Sequence, residues 1–353
     1  LERMVCDLSI GLHDAGHSVA VFSVGGLGVN ADRLWNAGVP VHDCTEGKLR
    51  IRGLPLRLVR AIRRFRPDAI HAHSGTWLPA AVTSLFQRSA AVVYTEHGRY
   101  FPEPPLRALL DGWCNRRTRS LVTVSADLAA YLQRFLRLPA TPIVIRNGVD
   151  LTMYTGIDDL DRRGIRDSWA AGPKDVVGIC VARYVPVKNH ALLIDAFSGC
   201  AATTERIRLV FYGEGPLEAE LRSRVADLRL DDRLRFCEFS RQIHRSLAAA
   251  DFFVLSSESE GLPLALLEAL AAGLPVIATD VGGIADALGK PPAGILVESG
   301  DLPGLSRAIA RLAADTPLRT HLSELARNRA RGFSLAAMVE RYVSTYQAAM
   351  ARE

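Results

Sequence analysis

Residues 252–278 read FFVLSSESEGLPLALLEALAAGLPVIA. The apolar run from Phe252 to Ser256 predicts a buried strand. A polar loop follows, helical periodicity covers 263–273, and a second apolar run, Pro275–Ala278, comes after Gly273. Strand, helix and strand in that order make a βαβ unit, and strands apolar on both faces belong in a parallel sheet covered by helices. Pro263 suits a first helical turn. The backbone N–H groups of Gly261 and Leu262 at the helix start form a site for anionic or hydroxyl-rich ligands. Glu260 stands at that mouth, and Glu268 follows within the helix, roughly 12 Å away at the helical rise. Two carboxyls acting across one glycosidic bond in a retaining hydrolase lie about 5 Å apart. Two carboxylates gripping separate parts of one long ligand fit this spacing better. The plainer alternative is that Glu268 only solvates a helix face.

The same alternation extends along the chain. Strands are expected in the first half at 18–24, 69–72, 91–95, 120–124 and 142–146, and in the second at 176–182, 207–212, 233–237, 252–256, 275–278 and 294–297. Helical patterns at 125–136, 189–198 and 216–228 lie between them. The pattern predicts an α/β doubly wound fold occurring twice. Its bounds are 1–152 for an N-terminal Rossmann-like domain and 153–332 for a C-terminal one, with 333–353 a closing helix. Polar, turn-rich sequence near 150–175 (TGIDDLDRRG, AAGPKD) reads as the linker. Residues 1–14 read as a helix ended by Gly16, whereas a Rossmann-like half normally opens on a mid-sheet strand and a glycine-rich turn.

Composition narrows the class. A chain of 353 residues with 48% hydrophobic and 23% charged residues suits two soluble domains. No run reaches the roughly 18 apolar residues that span a bilayer, and no signal peptide is visible. The six cysteines are scattered with no C-x-x-C pair, which argues against zinc or disulfides and for a reducing, cytoplasmic setting. Charge is uneven: residues 1–150 carry 19 Lys and Arg against 12 Asp and Glu, and the remainder is slightly acidic. Much of the excess sits in 55–66, where Arg57, Arg60, Arg63 and Arg64 share a helix with Leu58, Val59, Ile62 and Phe65. This is a solvated amphipathic helix or a peripheral membrane contact. Nucleic acid is not expected as a partner.

Other strings carry chemistry. In 176–193 (VVGICVARYVPVKNHALL) a strand ends near Arg183, a short loop carries Lys188, and a helix begins near Asn189. Two cations there suit a diphosphate and its departing charge without a metal. Gly213-Glu214-Gly215-Pro216 is a turn after strand 207–212. His97, in Thr95-Glu96-His97-Gly98, ends strand 91–95 where open sheets bind ligands. His71, His73 and His190 read as structural histidines. Asp159-x-Asp161 matches a metal-binding string but falls in the expected linker and is discounted, so no metal site is expected.

Together these strings resemble glycosyltransferase family 4, the retaining enzymes of GT-B fold with two facing Rossmann-like domains. The E-x7-E motif runs from Glu260 to Glu268, V-A-R-x-x-P-x-K-N covers Arg183 to Asn189, and G-x-G-P covers Gly213 to Pro216. Further matches are Arg146-Asn147-Gly148-Val149-Asp150, Ala278-Thr279-Asp280-Val281-Gly282-Gly283 and Val124-Ser125. The resemblance implies that Arg183 and Lys188 bind the donor diphosphate, Glu260 the sugar hydroxyls and Glu268 the ribose diol. It implies that His97 reaches the donor sugar, that Gly261, Leu262, Gly213 and Glu214 complete the cradle, and that the final helix crosses back to the N-terminal domain. It also implies a nucleotide-sugar donor, no cofactor or metal, and a glycan, glycolipid or small-molecule acceptor. The family's first strand and G-G loop precede a segment whose tail Leu1-Glu2-Arg3 resembles. Glu238 replaces a glycine that often lets backbone approach the base, so sugar and base are not named. A nucleotide-sugar epimerase or a non-catalytic nucleotide-sugar binder of the same fold are the alternatives. A dinucleotide dehydrogenase is disfavoured because no G-x-G-x-x-G follows a first strand.

Overall fold

Runs of β-branched and aromatic residues flanked by amphipathic stretches form parallel strands and covering helices throughout the chain. The computed structural model describes residues 2–28, 30–45, 55–99, 105–155, 158–201, 204, 206–238 and 242–351. The chain divides into unit 1, residues 1–148 with 335–353, and unit 2, residues 149–334.

Unit 1 contains α1 (Glu2–Asp14), β1 (Val21–Ser23), α2 (Ala31–Asn36), β2 (Val41–Asp43), α3 (Leu56–Phe65), β3 (Ala69–His73), α4 (Trp77–Thr83), β4 (Ala91–Glu96), α5 (Pro105–Asn115), β5 (Ser120–Thr123), α6 (Ala126–Phe135) and β6 (Ile143–Val144). Its strands pair in parallel in two groups, β1 with β2 and β3-β4-β5-β6 in order. Strand β4 is buried along its whole length, as expected of a strand covered on both faces. Strand β2 was not foreseen. Its sequence Val-His-Asp is mostly exposed and shows no apolar run. Among the described residues no strand joins β1 to β3. A cavity of about 850 Å³ lies there, lined by Val21, Phe22, Ile70, Ala72 and Tyr346 among others.

Unit 2 contains a 3-10 turn (Leu151–Tyr154), α7 (Asp159–Ser168), β7 (Val176–Val181), a second 3-10 turn (Pro186–Lys188), α8 (His190–Ala201), β8 (Ile207–Tyr212), α9 (Glu218–Asp227), β9 (Leu234–Cys237), α10 (Ile243–Ala249), β10 (Phe252–Leu255), α11 (Leu264–Ala271), β11 (Val276–Thr279), α12 (Ile284–Leu288), β12 (Gly294–Val297), α13 (Leu302–Ala314) and α14 (Thr316–Ala330). Six parallel strands are ordered β12-β11-β10-β7-β8-β9. Phe252 and Phe253 are fully buried and, as neighbours on a strand, face opposite sides of the sheet. Burial of each such ring stabilises the fold by about 2–3 kcal/mol. The last helix, α15 (Leu335–Met350), belongs to unit 1 and packs on α1 and β4.

The expected linker at 150–175 is corrected by α7. Asp158 caps this helix by accepting from the Asp161 N–H at 2.7 Å, and Asp159 and Asp161 occupy its first turn. Its charge is structural: Arg166 is buried, and its Nη1 donates to Asp251 Oδ2 at 3.0 Å. Asp161 of the discounted D-x-D string pairs with Arg245. Pro263 lies one residue before α11, as its N-cap, rather than inside it.

Candidate active site

Strand order in unit 2 reverses between β7 and β10, which pair with each other at the middle of the sheet. Open α/β sheets bind ligands at such a switch point, beyond the carboxyl ends of the strands. The loop after β7 carries Arg183 and Lys188, and the loop after β10 carries Glu260. The two loops are joined by backbone: the Glu258 N–H donates to Val187 O at 2.8 Å. Ser256 Oγ donates to Asn189 O at 2.9 Å, and Asn189 Nδ2 to Glu258 Oε1 at 3.0 Å.

Across this seam Lys188 Nζ donates to Glu260 Oε1, which also accepts from Ser257 Oγ at 2.7 Å. The side chains of Lys188 and Glu260 retain only 18% and 8% of their exposure, so each shields the other's charge in a poorly solvated place. Arg183 is exposed and makes no side-chain hydrogen bond or ion pair among the described residues. One cation is thus held against a carboxylate while another is available to solvent.

Close backbone approaches hold the loops. A Cβ on Gly282, whose φ is +57°, would collide with the carbonyl oxygen of Glu260, and the Gly283 N–H donates to Gly261 O at 2.8 Å. A Cβ on Gly213 would collide with Ala182 O, while the Tyr184 N–H donates to Glu214 O at 2.9 Å. Gly213 and Glu214 therefore brace the loop carrying Arg183, and the Glu214 side chain is exposed. Leu262 is buried between Gly261 and α11.

Glu268 does not solvate a helix face. It is 3% exposed and accepts from the Tyr154 hydroxyl at 3.1 Å. A carboxylate taken this far from water must be hydrogen-bonded to remain charged.

In unit 1, the loop after β4 carries His97 above a buried polar network. Glu96, 1% exposed, accepts from Tyr94 OH at 2.8 Å and from Arg99 Nε at 2.9 Å, and also binds Ser74 Oγ. Arg99 also pairs with Asp111 at 2.8 Å. The His97 N–H donates to Ser74 Oγ at 2.8 Å, which fixes the residue's backbone. A hydrogen bond of 3.1 Å joins His97 Nε2 to His73 Nδ1. His71 is held by Tyr346 OH at 2.7 Å and Thr95 Oγ1 at 2.8 Å. Burial lowers all three histidines, His73 to about 3 and the other two well below the ordinary value, so the cluster is neutral. Reading His73 as merely structural missed its bond to His97. The signal was the period-two His71-x-His73 pattern at a strand's carboxyl end, opposite Thr95 in the register.

Two parallel α/β units, one with its charged groups at a switch point, define a protein of the GT-B class. Residues 1–153 match Glycosyltransferase Family 4 and residues 161–329 match the Glycosyl transferases group 1 family. The chain belongs to the family 4 glycosyltransferases and is a glycosyltransferase. It is 27% identical to EpsD of Bacillus subtilis (strain 168), over 83% of this chain and 80% of that one. It is 26% identical to the UDP-Gal:alpha-D-GlcNAc-diphosphoundecaprenol alpha-1,3-galactosyltransferase of Escherichia coli, over 82% and 78% of the two chains. Among solved structures, Anabaena Alr3699/HepE in complex with UDP and glucose superposes with a TM-score of 0.86. That match has 21% identity and covers 98% of this chain and 95% of the other.

Proposed function

We propose that the protein is a retaining, metal-independent glycosyltransferase that moves a sugar from a nucleotide-diphosphate sugar to an acceptor hydroxyl in polysaccharide or glycolipid assembly. The observation that carries this reading is the placement of Lys188 and Glu260 on the loops after β7 and β10, the two strands that flank the switch point of unit 2. Arg183 and Lys188 bind the diphosphate and stabilise its charge as it leaves. The N–H groups at Gly261 and Leu262 add to that cradle. Once Lys188 turns to phosphate, Glu260 is released to accept hydrogen bonds from sugar hydroxyls. Glu268 accepts from the ribose diol. His97, neutral and held by His73, hydrogen-bonds the transferred sugar. The departing phosphate takes the acceptor's proton, so the acceptor attacks from the face the leaving group vacates and anomeric configuration is kept.

The UDP-Gal and the diphosphoundecaprenol acceptor in the name of the Escherichia coli relative, and the UDP and glucose bound to the Anabaena protein, support a nucleotide-sugar donor and a glycan or lipid-linked acceptor. No described helix is long and apolar enough to cross a membrane. Exposed Arg57, Arg60, Arg63 and Arg64 on α3 suit peripheral contact with an anionic inner membrane face from the cytoplasm.

Calorimetric titration with UDP, GDP, ADP and their sugars tests the reading. One nucleotide is expected to bind wild type and to lose most of its affinity in Lys188→Ala. Product from an active pairing, analysed by NMR, is expected to retain the donor's anomeric configuration. Inverted product would end the retaining assignment, and equal binding by both proteins would end the phosphate-site assignment.

A further inference from the structure

Tyr154 lies at the end of the 3-10 turn Leu151–Tyr154, just beyond the Asn147–Asp150 string, in a stretch whose sequence suggested only a linker. The turn is fixed locally: Asp150 Oδ1 accepts from the Thr152 N–H at 3.0 Å and from Thr152 Oγ1 at 2.7 Å. It is fixed at long range by the Tyr154 ring, which meets the His244 ring of α10 edge-on at 6.2 Å. So placed, the half-buried phenol donates to Glu268 Oε1, 114 residues on.

A carboxylate has about four lone-pair positions on two oxygens. A donor that is part of the protein can occupy one of them and still leave others for a vicinal diol. Held on one oxygen, the carboxylate loses its freedom to rotate before a ligand arrives, so less ordering accompanies binding. The ionised carboxylate is the form that accepts from both diol hydroxyls.

We infer that Tyr154 is a positioning residue of the donor subsite, orienting the Glu268 carboxylate so that it selects a ribonucleotide over a deoxyribonucleotide. This rests on the reading of Glu268 as the ribose-binding group. Tyr154 contributes no contact to the reacting atoms; it acts through Glu268.

The test measures affinities of the full chain for UDP, GDP and ADP and for their 2′-deoxy and 3′-deoxy forms, by calorimetry. Wild type, Tyr154→Phe, Glu268→Gln and the double variant are compared, and thermal melts check that each is folded. Tyr154→Phe keeps the ring and its packing on His244 and removes only the hydroxyl. Loss of one hydrogen bond to a charged group predicts about tenfold weaker ribonucleotide binding with little change for the deoxy forms. The ratio of ribo to deoxy affinity therefore falls about tenfold, and the effect disappears in the Glu268→Gln background. Equal weakening of ribo and deoxy forms, or none, would overturn the inference and leave Tyr154 a packing residue. If Glu268→Gln weakens the ribonucleotides while Tyr154→Phe does not, the inference fails and the ribose role of Glu268 stands. Should Glu268→Gln leave every affinity unchanged, or wild type bind none of the three nucleotides, the donor-site reading itself fails and takes the inference with it.

Discussion

The two units share a parallel α/β plan yet place different chemistry at the carboxyl ends of their strands. In unit 2 the groups are ionic: Lys188 against Glu260, Arg183 exposed, Glu268 buried under a tyrosine hydroxyl. In unit 1 they are neutral imidazoles, His71, His73 and His97, over a buried ionic base of Glu96, Arg99 and Asp111. The sheets differ as well. Six strands of unit 2 form one continuous sheet, whereas the described strands of unit 1 form separate groups of two and four. The comparison teaches that charge is tolerated where it stays in solvent, as at Arg183, or where a counter-ion or a hydrogen-bond donor meets it, as at Lys188, Glu260 and Glu268. Neutral donors serve where desolvation would discharge an unpaired cation.

The largest effect is expected at the ionic centre. Lys188→Ala removes a cation from a mostly buried pair and a ligand from the phosphate site. It should cost about 3 kcal/mol in nucleotide affinity, roughly a hundredfold, read by calorimetry. His97→Gln should leave nucleotide affinity within about twofold, since it alters no charge at the phosphate site. A large loss in His97→Gln would dissolve the distinction between the two units.

Next comes pH. His190 of unit 2 is 2% exposed, its ring lies edge-on to Tyr184 and Phe211, and neither ring nitrogen has a hydrogen-bond partner among the described residues. Burial takes it from 6.5 to about 4. Between those values the unfolded chain binds a proton that the folded chain refuses. Its contribution is therefore complete above about pH 6.5 and is lost as pH falls towards 4, amounting to about 3 kcal/mol. His73, lowered to about 3, acts in the same direction in unit 1. Denaturant melts from pH 7 to 4 should show the loss, and His190→Leu should flatten it for unit 2 alone. An unchanged slope in that variant would assign the acid sensitivity to unit 1.

A smaller change is expected from His73→Asn. Loss of the bond to His97 should lower transfer about tenfold, with nucleotide affinity unmoved. Restoration of activity by His73→Gln, with its longer reach, would sharpen the claim that the bond and not the ring matters. Smallest of all is the effect of changing Arg57, Arg60, Arg63 and Arg64 to Gln, which should move stability by no more than about 0.5 kcal/mol. The same variant should float less with anionic liposomes, and equal recovery would end the membrane contact.

Apolar runs located strands such as Val176–Val181 and Ile207–Tyr212 to within a residue or so, and the helix Leu335–Met350 falls inside the expected 333–353, because each burial pattern repeats locally. The motif strings likewise single out Lys188, Glu260 and Glu268. Local pattern did not reveal β2, whose three residues are mostly exposed, nor α7, whose charges looked like a linker because their counter-ion, Asp251, is distant in sequence. The pairs His73 with His97 and Tyr154 with Glu268 were equally hidden.

Residue types and their spacing determined the parallel α/β class, the two halves and the family. They also determined which side chains stand at strand ends, because hydrophobic burial and turn chemistry act over a few neighbouring residues. Only the tertiary structure decided which of those side chains are partners, which histidines are discharged, and that Glu268 faces a tyrosine rather than water. Those outcomes depend on desolvation and on hydrogen bonds between residues that chain folding, not sequence proximity, brings to about 3 Å.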